Sequence, residues 1–276
     1  MRYKIIIAVG LPLLVLGVTV WMILGGDERN CDDSKPQTRI AACTRLLKSN
    51  SYDSRSMAII YNSRGIAHFD LRQYRRAIKD YTEAIRLNSK IAGFFSNRGS
   101  AYAELKRDHR AILDYDQAIR LDPLNVSAYV NRGASYTDLQ QYRRAIKDLD
   151  KAIAINPKSW DAYEERSNTY FKLKEYGKYL RDCGHLIRLE PSKAESYNCR
   201  AWAYFNIGKP AKGLPAANRA LKLSSKCVPC WDTRAHIYEA LGRKQEAISD
   251  FRRALKLDPG IKESRAGLRR LGVAPK

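Results

Sequence analysis

The chain has 276 residues, 45% of them apolar and 29% charged, which is ample for a buried core, and it carries a formal net charge of +21. No nucleophile stands beside a base, no loop is built to cradle phosphate and no metal-ligand spacing occurs, so the chain reads as a non-enzyme without cofactor or metal. The basic residues are spread along the whole chain with no nucleic-acid module among them, so nucleic acid is not an expected partner.

Residues 1–26 open with Arg2 and Lys4, followed over residues 5–26 by IIIAVGLPLLVLGVTVWMILGG, which holds no charge. At about 1.5 Å per residue such a stretch can cross a hydrocarbon core as a helix. Leu24, Gly25 and Gly26 match a signal cleavage site poorly, so the reading is an uncleaved transmembrane anchor; a cleaved signal is the competing one. Cations before the span and Asp27 and Glu28 just after it favour an N-in orientation with the rest of the chain exported.

Residues 27–57 form a lead-in. Pro36 is a helix start, RIAACTRLL at residues 39–47 reads as a helix with Cys43 at its small-residue place, and residues 49–56 are a polar linker. From residue 58 the sequence repeats every 34 residues, in six units at 58–91, 92–125, 126–159, 160–193, 194–227 and 228–261. Each unit reads as two short amphipathic helices. A small residue recurs at Gly65, Gly99, Gly133, Ser167, Ala201 and Ala235, and an arginine precedes each one. An aromatic stands three places before that arginine, at Tyr61, Phe95, Tyr129, Tyr163, Tyr197 and Trp231. Ala77, Ala111, Ala145 and Ala247 mark the second helix, and Pro123, Pro157, Pro191 and Pro259 close four of the units. Residues 262–276 read as a final capping helix.

This pattern resembles the tetratricopeptide repeat family, over roughly three quarters of the chain. The resemblance implies an all-α solenoid of six helix-turn-helix repeats in a right-handed superhelix, preceded here by the transmembrane helix. The lead-in, a cysteine, a short acidic turn and a helix containing AACTR, resembles that of exported tetratricopeptide proteins in alphaproteobacteria. Two units depart from the family pattern. Unit four has Ser167 for the glycine and Tyr179 for the alanine, which should push its helices apart or force repacking. Unit five has Gly213 at the alanine place and both Pro210 and Pro215 in its second helix, so a shortened or kinked helix is expected.

An aspartate recurs in the second helices at Asp80, Asp114, Asp148, Asp182 and Asp250, placed to pair with the repeating arginine as a structural ladder. Unit five carries Ala216 there, leaving Arg200 to turn to solvent or meet a ligand carboxylate. Six cysteines in an exported chain suggest disulfides. Cys31 and Cys43 can tie the lead-in to its helix, Cys183 and Cys199 lie on elements that pack together, and Cys227 and Cys230 flank the turn entering unit six. The four histidines are scattered and read as packing or surface residues.

In the family the first helices line a concave groove. The first 14 residues of the six units together hold seven Lys or Arg and nine Asp or Glu. The groove is thus neutral to acidic, and the basic charge lies outside it, where a solvated face and attraction to anionic lipid are the two readings. By resemblance, the ligand-facing places fall on Asn97 and Asn131, on Asp161, Glu164, Glu165, Asn168 and Phe171, on Glu195, Asn198, Trp202 and Phe205, and on Asp232, His236 and Glu239, with Arg200 beside them. The asparagines match one that holds peptide backbone in some members. The lysines of the family's chaperone-tail clamp are missing, so a basic or apolar protein segment anchored on Phe171, Trp202 and Phe205 is expected. The sequence therefore reads as a membrane-anchored, periplasmic scaffold for protein partners. The alternatives are a cytosol-facing receptor and a lipid- or envelope-polymer-binding protein.

Overall fold

The computed structural model describes residues 30–49 and 51–274, which form fourteen helices and, among the described residues, no strand. The expected span at residues 5–26 lies outside them, and no helix among the described residues is long and apolar enough to cross a membrane. The chain divides into two compact units, one ending at Pro157 and one beginning at Lys158.

The first unit contains α1 (Pro36–Ser49), α2 (Ser54–Asp70), α3 (Tyr74–Leu87), α4 (Ala92–Glu104), α5 (Asp108–Leu121), α6 (Val126–Asp138) and α7 (Tyr142–Ile155). The second contains α8 (Trp160–Lys172), α9 (Tyr176–Leu189), α10 (Ala194–Asn206), α11 (Pro210–Leu223), α12 (Val228–Ala240), α13 (Lys244–Leu257) and α14 (Lys262–Arg270). Local chemistry sets the ends. Asp53, Asn125 and Ser159 cap α2, α6 and α8 by accepting the N–H of Ser56, Ala128 and Ala162. Each hairpin turn places one residue in the left-handed region, at Arg72, Lys106, Gln140, Lys174, Gly208 and Gly242. The following N–H then reaches back five residues, as Arg107 N does to the Tyr102 carbonyl at 2.9 Å.

Second helices bury a narrow stripe. In α3 it is Ala77, Asp80, Tyr81 and Ala84, spaced so that one face meets the neighbouring helices while Arg75, Arg76 and Lys79 face water. Where α2, α4 and α6 cross their partners the first helix carries glycine because a large side chain occupies its Cβ position. A Cβ on Gly65 would lie 2.6 Å from Tyr81 Cε1, on Gly99 2.8 Å from Tyr115 Cε1, and on Gly133 2.8 Å from Leu149 Cγ.

Units four and five solve the same problem differently. In unit four Ser167 tolerates its side chain because Cys183 replaces the large residue, and Tyr179 is buried against Phe171 with ring centroids 5.4 Å apart. In unit five Ala201 faces Ala217, and Gly213 lets α11 approach so closely that a Cβ there would lie 2.8 Å from the Ala201 carbonyl oxygen. The expected shortening at Pro215 does not occur. α11 has 14 residues, the length of α3, α5, α7, α9 and α13. Pro215 and Ala211, whose carbonyl the proline ring deprives of its N–H partner, are both exposed, so water can serve that oxygen. At the end of the chain α14 covers α13, with Leu268 fully buried and Gly267 leaving room for the Phe251 ring.

Candidate functional site

Five of the repeating arginines form one construction. Arg64, Arg98, Arg132, Arg166 and Arg234 each donate Nε and Nη2 to the two oxygens of Asp80, Asp114, Asp148, Asp182 and Asp250, at 2.6–3.0 Å. Their guanidinium carbons lie 5.0–5.8 Å from the aromatic ring three residues earlier. The remaining Nη1 of Arg64, Arg98, Arg132 and Arg234 donates to Thr44, Thr82, Asp116 and Asn218 on the preceding second helix. The Asp80 hydrogen bond holds Arg64 above its ordinary pKa against the opposing effect of burial. This bidentate, half-buried pairing is structural and leaves these arginines nothing to offer a ligand. It also fixes where the arginine position points, which is toward the second helices. Arg200 occupies that position in unit five, so it does not join the first-helix face expected to bind partners.

On the first-helix face of the first unit, Asn97 and Asn131 are buried and used sideways. Asn97 Nδ2 donates to Asn62 Oδ1 at 3.0 Å and Asn131 Nδ2 to Ser100 Oγ at 3.4 Å, so each stitches neighbouring first helices. In the second unit Asp161, Glu164 and Asn168 are half-buried and Glu195 is exposed, whereas Glu165 and Asn198 are buried. The Oδ1 atoms of Asn97 and Asn198 are buried without a hydrogen-bond partner among the described residues. Phe171 does not join Trp202 and Phe205; its ring packs on Tyr176 and Tyr179 of its own hairpin.

Trp202 and Phe205 form a stacked pair on α10, centroids 4.9 Å apart and planes 13° from parallel, a consequence of their three-residue spacing on one helical face. His236 of α12 sets its ring edge-on against both, at 5.7 and 5.9 Å, and against Phe251 at 5.0 Å. All three of Trp202, Phe205 and His236 are half-buried, so they form a partly open platform. Burial opposes protonation of His236, but its Nδ1 lies 2.9 Å from the Asp232 carbonyl oxygen and 3.4 Å from the Asp232 carboxylate, and these raise its pKa above the ordinary value. The other two acids placed here by the sequence serve α14. Asp232 accepts from Ser264 Oγ at 2.6 Å, and Glu239 holds Arg270 through two bonds of 2.9 and 2.7 Å. No group of metal-ligating side chains occurs among the described residues. The arrangement can hold an apolar or cationic group against ring faces.

Models of the tetratricopeptide repeat match residues 62–126, 126–159 and 228–261. The chain is a tetratricopeptide repeat protein. Among solved structures it is similar to a tetratricopeptide repeat protein from Parabacteroides merdae, at 22% identity and a TM-score of 0.69 over 89% of this chain and 96% of that one. It is also similar to YrrB, described as having an unusual peptide-binding site, at 18% identity and a TM-score of 0.55 over 68% and 97% of the two chains. A third is a C-terminal part of a repeat protein from Cytophaga hutchinsonii, at 21% identity and a TM-score of 0.63 over 88% and 96%. At these identities the likeness is one of fold. Comparison with curated protein sequences returns no match.

Within the tetratricopeptide frame all six cysteines are paired. Cys31–Cys43 ties the lead-in to α1, Cys183–Cys199 joins α9 to α10, and Cys227–Cys230 closes the turn entering α12, with Cα separations of 4.8, 5.6 and 5.3 Å. The sequence places His236 on the ligand-facing stripe yet offers only packing or surface for it. What identifies it as the third wall of the platform is its position, one 34-residue period after Trp202.

Proposed function

We propose that this tetratricopeptide protein is a scaffold that captures a protein segment of apolar or basic character on the first-helix face of α10 and α12. The observation that carries this reading is the stacked Trp202–Phe205 pair, half-open and walled by His236, on a helix whose first turn bears the exposed Glu195. Paired aromatics of this kind act as anchors that bury a large area at little cost in side-chain freedom. The uncharged stretch at residues 5–26 supports a membrane anchor. Three disulfides support an oxidising compartment, which in a bacterium is the periplasm.

A peptide array of basic, acidic and apolar pools incubated with the full chain tests the groove. The basic and apolar pools should bind, and Trp202→Ala with Phe205→Ala should weaken that binding at least about tenfold, the loss typical of one hot spot or more. Undiminished binding by the double variant sinks the reading. Alkylation of intact cells before and after reduction tests the compartment: free thiols at Cys183 and Cys199 in the cell reverse the orientation proposed.

A further inference from the structure

Unit five breaks the arginine construction on every side at once. The aspartate that takes Nε and Nη2 elsewhere is Ala216, and the acceptor for Nη1 on the preceding second helix, Asp116 for Arg132 and Asn218 for Arg234, is Gly184. The ring three residues earlier, Tyr197, is covered by Arg219 instead. Arg200 is consequently exposed, with no hydrogen bond, ion pair or ring contact among the described residues. The two positions that supply acceptors to the other arginines hold no acid here, and cations stand on both flanking second helices. A Cβ on Gly184 would lie 4.0 Å from Arg188 Nη1 and near nothing else. α11 carries Lys212, Arg219 and Lys222 and, alone among the second helices of the six repeats, no carboxylate.

We infer that the slot left by Ala216 and Gly184 is a docking site, on the second-helix side of units four and five, for a carboxylate side chain of an acidic protein segment. The partner's Asp or Glu takes the place that Asp148 takes against Arg132, and Arg188 and Arg219 attract the charges flanking it. The fork of Arg200, freed from its ring and both acceptors, matches a carboxylate with two parallel hydrogen bonds. The Cys183–Cys199 bridge fixes α9 against α10, the helices that bear Gly184 and Arg200. A protein carboxylate is favoured over a lipid surface because the large hydrophobic side chains that stand exposed among the described residues, Ile59, Leu113 and Leu124, all lie in the first unit, leaving no large apolar side chain here to enter a bilayer.

The test uses the full chain in nonionic detergent and, as probe, a labelled peptide of alternating Glu and Ala. The peptide should bind, should shift the Arg200 Nε–H resonance in arginine-labelled protein, and should lose affinity about tenfold or more in Arg200→Gln and in Ala216→Asp. The second variant supplies the missing carboxylate from within, so it should also raise the melting temperature. If it does not fold, Gly184→Asp, which meets no steric obstacle, makes the same test. Trp202→Ala with Phe205→Ala should leave peptide binding unchanged, which separates this site from the groove. Equal affinity in wild type, Arg200→Gln and the refilled variants overturns the inference. So does a result in which phosphatidylglycerol vesicles, and not the peptide, lose binding on refilling the slot.

Discussion

Residues 58–157 and unit five build the same helix pair from opposite materials. In the former, a glycine on the first helix admits Tyr81, Tyr115 or Leu149 from the second, and an Arg–Asp pair locks the crossing from outside. In unit five Ala201, Gly213 and Ala217 are all small and the lock is absent. The difference teaches that a repeat needs the volume between its helices filled, by either helix, and that the polar lock is separable from that filling.

The comparison breaks most sharply at the lock. Asp114→Ala strands the half-buried Arg98 and should cost about 3 kcal/mol in urea unfolding, the lower end of what a severed buried ion pair costs. Arg200→Ala, which removes an exposed cation with no partner among the described residues, should change stability by no more than about 0.5 kcal/mol. Equal losses in the two variants would show that the lock matters less than the alkyl packing of the arginine. Volume comes next. Gly99→Ala sets a methyl group 2.8 Å from a fully buried ring and should cost about 1–3 kcal/mol despite the better helix propensity of alanine. Gly184→Ala meets no such ring and should gain about 0.5–1 kcal/mol, so the two glycines should differ in sign. The smallest contrast lies between two tyrosines at one repeat position. Tyr115 Oη donates to Ser100 Oγ at 3.3 Å, whereas Tyr81 Oη is buried without a partner among the described residues, because Ile66 stands where Ser100 does one repeat later. Tyr115→Phe should therefore cost about 1 kcal/mol and Tyr81→Phe should be neutral or stabilising.

The helix pairs, the ladder, the lead-in helix and the cap were legible because each depends on local spacing repeated in register. The cysteine pairs were legible as well, since they join neighbours in the chain or in the stack. What escaped was information about direction. Pro215 reads as a helix breaker until its counterparts at Lys79, Lys147 and Arg181 are noticed; all face water, and a proline on the outer side of a short helix lacks only a solvated hydrogen bond. Arg200 lies on a first helix, but its repeat position points toward the second helices, as the five paired arginines show. Phe171 shares the repeat register of the groove, but with Tyr179 in place of the alanine its ring packs within its own hairpin. Glu165 and Asn198 share the groove register, but burial depends on the neighbouring helix, which a single repeat does not contain.

The Cys183–Cys199 bridge crosses the junction between units four and five, the same junction that lacks an Arg200 link back to α9. In a repeat array, cooperativity is transmitted only through nearest-neighbour interfaces. Here a covalent cross-link closing a loop of 16 residues, worth on the order of 3 kcal/mol by the entropy of the unfolded chain, stands in for a salt link. Reduction thus converts a continuous unfolding unit into one with a fault line. Hydrogen exchange under a reductant would reveal it as α10 to α14 opening before α9, a chemical fuse set between two repeats.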